Sequence, residues 1–150
     1  MPAKIKNQRQ CGECTKCCEG WLQGNVHGHA MFPGRKCHFL GNACTIYKDR
    51  PQNPCRDYTC AWIEDHVFPE WMKPNLSNVI ISEKVNEDNP NLTYYEVNEA
   101  GGKIDSSVLN WLIHWALREK KNIIYEIAGK QHVLGGNEFH QALETRKWNN

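Results

Sequence analysis

Regular spacing of apolar and polar residues is confined to the second half of the chain. Val79-Ile80-Ile81 is a β-branched run, and Leu92-Thr93-Tyr94-Tyr95-Glu96-Val97 is rich in aromatic and β-branched positions. The residues between them, Asn86 to Asn91, are mostly turn formers. The pattern predicts an antiparallel pair of strands. Asp105 or Ser106 can cap a helix running from about Ser107 to Lys121. Ile123 to Ile127 and Gln131 to Leu134 flank Gly129-Lys130 and predict a hairpin. A short helix from Asn137 to about Trp148 closes the chain. At 100° per residue, Val108, Leu109, Trp111, Leu112, Ile113, Trp115, Ala116 and Leu117 fill roughly 240° of the central helix. Only Asn110, His114 and Arg118 remain as a polar stripe. A long helix that apolar needs cover on two sides, so the expectation is the sheet on one side and the amino-terminal region or a second subunit on the other.

From Cys11 to about Pro74 the periodicity is lost. This stretch is rich in Cys, Gly and Pro, and it predicts only short helical turns around Glu13 to Trp21 and Thr59 to His66. Something other than an apolar core must hold such a segment, and thiolate ligation of a metal does so by coupling binding to folding. The expected organisation is therefore a flexible segment over 1–10, a cysteine-rich module over 11–74 and a small α+β region over 75–150. Together they form an α+β fold, an irregular metal-binding module packed with a small antiparallel sheet and a long apolar helix.

All eight cysteines fall in the first sixty residues: Cys11, Cys14, Cys17, Cys18, Cys37, Cys44, Cys55 and Cys60. No secretory leader or membrane span is read in the sequence, which predicts a cytoplasmic protein whose thiols stay reduced. Each Cys-x2-Cys step lets two sulfurs converge from a tight turn, so Cys11, Cys14 and Cys17 can present three sulfurs to a cubane cluster, with a remote cysteine as the fourth. Any four of the thiolates would equally satisfy tetrahedral zinc, and eight permit two four-sulfur sites. Adjacent Cys17 and Cys18 point apart in an extended or irregular backbone. They serve different metals, or different irons, or one of them is not a ligand.

The ordered blocks Cys11-Gly-Glu-Cys14-Thr-Lys-Cys17-Cys18, Cys37-His-Phe-Leu, Cys44-Thr-Ile-Tyr47-Lys-Asp-Arg50-Pro51 and Cys55-Arg56-Asp-Tyr-Thr-Cys60 resemble the CxxCxxCC family of zinc- or iron-chelating proteins, the YkgJ-like cysteine cluster proteins. The resemblance spans about residues 11–65. It implies metal chelation, with a 4Fe-4S cluster favoured over zinc. Flagellin lysine methylases carry a similar module, but this chain has no glycine-rich segment for a methyl donor and that activity is not carried over. Three residues separate Pro51 from Cys55 where the family has two, and Thr59 stands where proline is common. Altered geometry is therefore expected at Cys55 and Cys60.

Around the cysteines, Trp21, Trp62 and Phe39 are positioned to exclude water from a cluster or to pack the core. His38 reads as a hydrogen-bond donor near the cluster or as a surface residue, and His27 and His29 more readily as loop residues than as ligands. Arg50 and Arg56 are expected to pair with Asp49, Asp57 or Glu64, or to approach cluster sulfurs. Lys plus Arg number 18 against 17 for Asp plus Glu, a net charge of +1 that attracts neither nucleic acid nor an anionic membrane. There is no Ser/His/Asp nucleophile motif, and Gly101-Gly102 and Gly135-Gly136 read as turns. The sequence thus points away from an enzyme and toward an iron–sulfur protein that carries electrons or a cluster, or senses redox state. The alternative is a zinc-stabilised module that binds an unknown protein partner, with self-association through the apolar helix a further expectation.

Overall fold

The structure, a computed structural model, describes residue 9 and residues 14–58 and 60–148, the last four through their backbone alone. The cysteine-rich part is built from turns and one hairpin, β1 (Gly24–Val26) and β2 (His29–Met31), which pair antiparallel through Asn25 and Ala30. Two short helices follow, α1 (Ala61–Glu64) and α2 (Pro74–Ser77). The chain then forms β3 (Val79–Val85), β4 (Thr93–Glu99), α3 (Ser106–Glu119), β5 (Ile123–Ile127), β6 (Lys130–Leu134) and α4 (Asn137–Trp148). Among the described residues no helix is long and apolar enough to cross a membrane.

β3, β4, β5 and β6 form one sheet in that order. The two expected antiparallel pairs are present, with Ile81 opposite Val97 and Ile124 opposite Val133. Asn86 shapes the β3–β4 turn, its side-chain oxygen accepting from the backbone N–H groups of Asp88 and Asn89, both at 2.9 Å. The sheet is nevertheless mixed, because β4 and β5 run parallel, Tyr95 beside Ile123 and Val97 beside Tyr125. Parallel neighbours need a crossover, and α3 is that crossover.

Strand alternation then sorts the core into two sides. Val79, Ile81, Tyr95, Val97 and Ile123 face a core shared with Val108, Leu112, Trp115 and Ala116 of α3 and with Cys60, Ala61, Trp62, Phe68 and Met72 of the cysteine-rich part. Phe68 lies at the centre, its ring 5.0 Å from Trp115, 5.6 Å from Trp111 and 6.2 Å from Tyr95. On the opposite face α4 brings Phe139 against Leu92 and Ile124, with Tyr94 and Val133 at the edge of the contact.

The long helix apolar over most of its circumference is not found. α3 has 14 residues and ends at Lys120, whose φ of 55° and ψ of 47° are left-handed. Its buried positions, Val108, Leu112, Trp115 and Ala116, lie three and four residues apart on one face, whereas Leu117 is 63% exposed. As a crossover on one face of a sheet, the helix needs cover only along that stripe. The apolar residues beside it are half-buried or open to solvent. Leu112→Ala is accordingly expected to cost about 2–5 kcal/mol. Leu117→Ala should stay within about 0.5 kcal/mol. Urea denaturation of the two variants checks this, and equal losses would mean that both sides of α3 are covered.

Candidate metal centre

Short backbone devices aim the cysteines inward. Cys17 and Cys18 begin the turn Cys17–Trp21, where Glu19 N–H donates to Thr15 C=O at 2.9 Å and the Glu19 carboxylate accepts from the Thr15 hydroxyl at 2.7 Å. The turn is reversed by Gly20, buried at φ 106°, where a Cβ would collide with the Phe32 carbonyl. Only glycine satisfies both the backbone angle and the close approach. Cys37 N–H donates to Cys18 C=O at 2.7 Å, and Leu40 N–H donates to Cys37 C=O at 3.1 Å. Leu40 also bridges to Cys44, which turns Cys44 back toward Cys37. Cys55 lies in the turn Gln52–Arg56, whose Pro54 packs so closely on Gly24 of β1 that a Cβ there would come within 2.6 Å of the proline ring. Cys60 is the residue from which α1 starts, and its carbonyl accepts from Ile63 N–H at 3.0 Å.

These devices converge on one cavity of about 750 Å³, whose wall includes Cys14, Cys17, Cys18, Cys37, Cys44, Cys55 and Cys60. Cys37 and Cys60 are buried and the other five are half-buried; no disulfide joins any two of the seven. Cys11 lies outside the described residues. Arg9, Arg50, Arg56 and Lys73 stand on the same wall, and no carboxylate or imidazole does among the described residues. Leu22, Val26, Met31, Ile46 and Trp62 supply its apolar surface.

The cations are held firmly. Arg9 donates to Trp62 C=O at 2.7 Å and to Phe68 C=O at 2.6 Å, and its guanidinium lies 4.4 Å from the centre of the Trp62 ring. Arg56 donates to Arg50 C=O at 2.8 Å and to Lys48 C=O at 2.5 Å, and Arg50 donates to Tyr47 C=O at 2.9 Å while stacking 3.8 Å over the Tyr47 ring. The expected pairing of Arg50 and Arg56 with Asp49, Asp57 or Glu64 is absent among the described residues; backbone carbonyls take that place, and Asp57 accepts instead from Gln52 at 2.6 Å. Carbonyls leave the positive charge of both guanidiniums uncancelled at the cavity.

Of the other predicted residues, Trp62 lines the cavity, whereas Trp21 and His38 do not. Trp21 is 39% exposed. His38 stacks on His29 with ring centres 3.8 Å apart on the outside of the hairpin, and His27 hydrogen-bonds to Asp49 C=O at 2.8 Å. Arg9, Tyr58 and Lys73 join the site without a warning in the spacing. Tyr58 stands between two cysteines of the last block, but Arg9 and Lys73 lie outside every cysteine block, and only folding brings them in. Thr59 lies outside the described residues. Despite the altered spacing, Cys55 and Cys60 both reach the cavity.

Burial pushes the Cys55 thiol up, and the neighbouring charges of Cys37 and Cys44 push it further, while Arg50 opposes them. The Tyr58 phenol is raised far above its ordinary value, first by burial, against a hydrogen bond with Ser82 at 2.9 Å, and with added repulsion from Cys17 and Cys60. Tyr58 therefore stays protonated at any physiological pH.

The donor set suits thiophilic metals, since sulfur is the sole anionic donor type on the described wall. Four sulfurs around one zinc lie about 3.8 Å apart when each Zn–S bond is about 2.3 Å. Among the described residues no three His, Cys, Asp or Glu side chains converge so closely on one ion. The seven thiols are spread along the cavity wall. Gly20→Ala should cost about 1–3 kcal/mol from its backbone alone. It should also move Cys17 and Cys18 away from Phe32, so its metal content after anaerobic reconstitution should fall below that of the unaltered protein; unchanged stability and metal content would show that the turn does not set the site. No protein-family model, no curated protein and no solved structure matches this chain.

Proposed function

We propose that this protein is an iron–sulfur protein that passes electrons or a cluster to a protein partner, or senses redox state. One observation carries the reading: seven cysteines drawn from residues 14 to 60 line a single cavity whose other charged groups, among the described residues, are cationic. The resemblance of residues 11–65 to the CxxCxxCC proteins points the same way, and Cys11 is taken as an eighth ligand on that basis. When bound, an iron–sulfur cluster supplies reversible one-electron chemistry.

The chain's own residues have three tasks. The thiolates hold the cluster, and Arg9, Arg50, Arg56 and Lys73 offset the negative charge that several thiolates bring together. Val26, Met31, Leu22, Ile46 and Trp62 keep water from the sulfurs, which shapes the potential. Tyr47, 46% exposed and stacked with Arg50, forms the accessible rim over which a partner would approach. The described wall carries no imidazole or carboxylate to serve as an ordinary general base, which favours electron or cluster transfer over acid–base catalysis.

Anaerobic reconstitution with iron and sulfide should give a brown protein with sulfide-dependent absorption in the blue. Removing the metal with a chelator should lower the melting temperature of the cysteine-rich part. A colourless protein that binds stoichiometric zinc and takes up no sulfide would overturn the proposal in favour of a zinc-stabilised module.

A further inference from the structure

We propose that Arg9 is a positioning residue that preforms the Cys60 side of the cavity before anything is bound there. Only the cavity is required for this, so failure here and failure of the iron–sulfur reading are seen separately. Cys60 and Trp62 are 6% and 4% exposed, and both belong at once to the main core and to the cavity wall. Local structure is too short to hold them. α1 runs only from Ala61 to Glu64, and a single helical turn is not stable by itself in water.

The carbonyls at the end of so short a helix find no donor within it and need partners from outside. Arg9 supplies them from 53 residues away. Its Nη1 donates to Trp62 C=O at 2.7 Å and to Asp65 C=O at 3.3 Å, and its Nη2 donates to Phe68 C=O at 2.6 Å. One planar fork thereby ties the end of α1 to the turn that follows it. The same guanidinium lies 4.4 Å from the centre of the Trp62 ring, whose Nε1–H donates to Pro69 C=O at 2.9 Å. Trp62 is held by its carbonyl, its ring face and its indole N–H. Cys60 is held with it, because its carbonyl accepts from Ile63 N–H at 3.0 Å and from Glu64 N–H at 3.3 Å in the same turn.

The ion pair of Arg9 with Glu70 is secondary. Arg9 Nε lies 3.4 Å from the Glu70 carboxylate, but the Glu70 side chain is 81% exposed against 9% for Arg9, and water screens such a pair. Removing the guanidinium takes the shared donor from three carbonyls and uncovers the Trp62 ring.

The test is alkylation of the reduced full chain by iodoacetamide in the presence of a chelator, with modification of Cys60 and Cys37 followed over time by mass spectrometry. Cys37 is the reference, since it is 5% exposed and buried in the separate small core with Val26 and Met31. Both thiols should react slowly in the unaltered protein. Arg9→Ala should speed the reaction of Cys60 roughly tenfold and leave Cys37 within about twofold of its original rate. Arg9→Lys keeps the charge without the fork and should show the same selective acceleration, whereas Glu70→Ala should match the unaltered protein. If circular dichroism shows that Arg9→Ala does not fold, Arg9→Lys decides by the same comparison. Rapid labelling of Cys60 in the unaltered protein, equal acceleration of the two thiols, unaltered rates in Arg9→Lys, or the full effect in Glu70→Ala would each overturn the proposal.

Discussion

The gathering of seven thiols on one cavity wall is the constraint on which the rest of this structure depends. Each thiolate brought to a cavity raises the cost of ionising the next, and burial raises it again. The Cys55 thiol shows both effects, pushed up by burial and by Cys37 and Cys44. Arg9, Arg50, Arg56 and Lys73 stand on the same wall and no carboxylate does among the described residues, although Arg9 also pairs with Glu70 at 3.4 Å. Arg50 and Arg56 are fixed through backbone carbonyls and form no ion pair among the described residues.

The rest of the fold positions that arrangement. The cysteine-rich part has only a small apolar core around Val26, Met31 and Cys37 and leans on the larger one through Cys60, Trp62, Phe68 and Met72. The mixed sheet and α3 form the firm side of the larger core, and Tyr58 extends a hydrogen bond to Ser82 of β3. Sequence-distant cysteines are thereby referenced to two separate packing units.

Local elements were legible because their signals are local. The two hairpin pairs of the sheet, the position of α3 and the final helix follow from hydrophobic periodicity and turn residues; Asp105 stands at the N-cap of α3 without a side-chain capping hydrogen bond. The parallel pairing of β4 with β5 carries no short-range signal, and it is what makes α3 a one-faced crossover in place of a helix covered on two sides. At the site, seven of the eight cysteines singled out by their spacing line one cavity. Spacing did not identify Arg9, Lys73 or Tyr58, because their roles arise from long-range closure: Arg9 binds carbonyls of Trp62 and Phe68, and Tyr58 meets Ser82. His38 and Trp21 misled for the converse reason, since nearness to a cysteine in sequence does not set the direction of a side chain.

The central claim, that the thiol-lined basic cavity carries iron and inorganic sulfide, is tested most directly by metal and acid-labile sulfide analysis of protein purified without oxygen. The account predicts iron and sulfide in comparable amounts with little zinc. Stoichiometric zinc without sulfide, or protein free of metal with its fold intact, would contradict it.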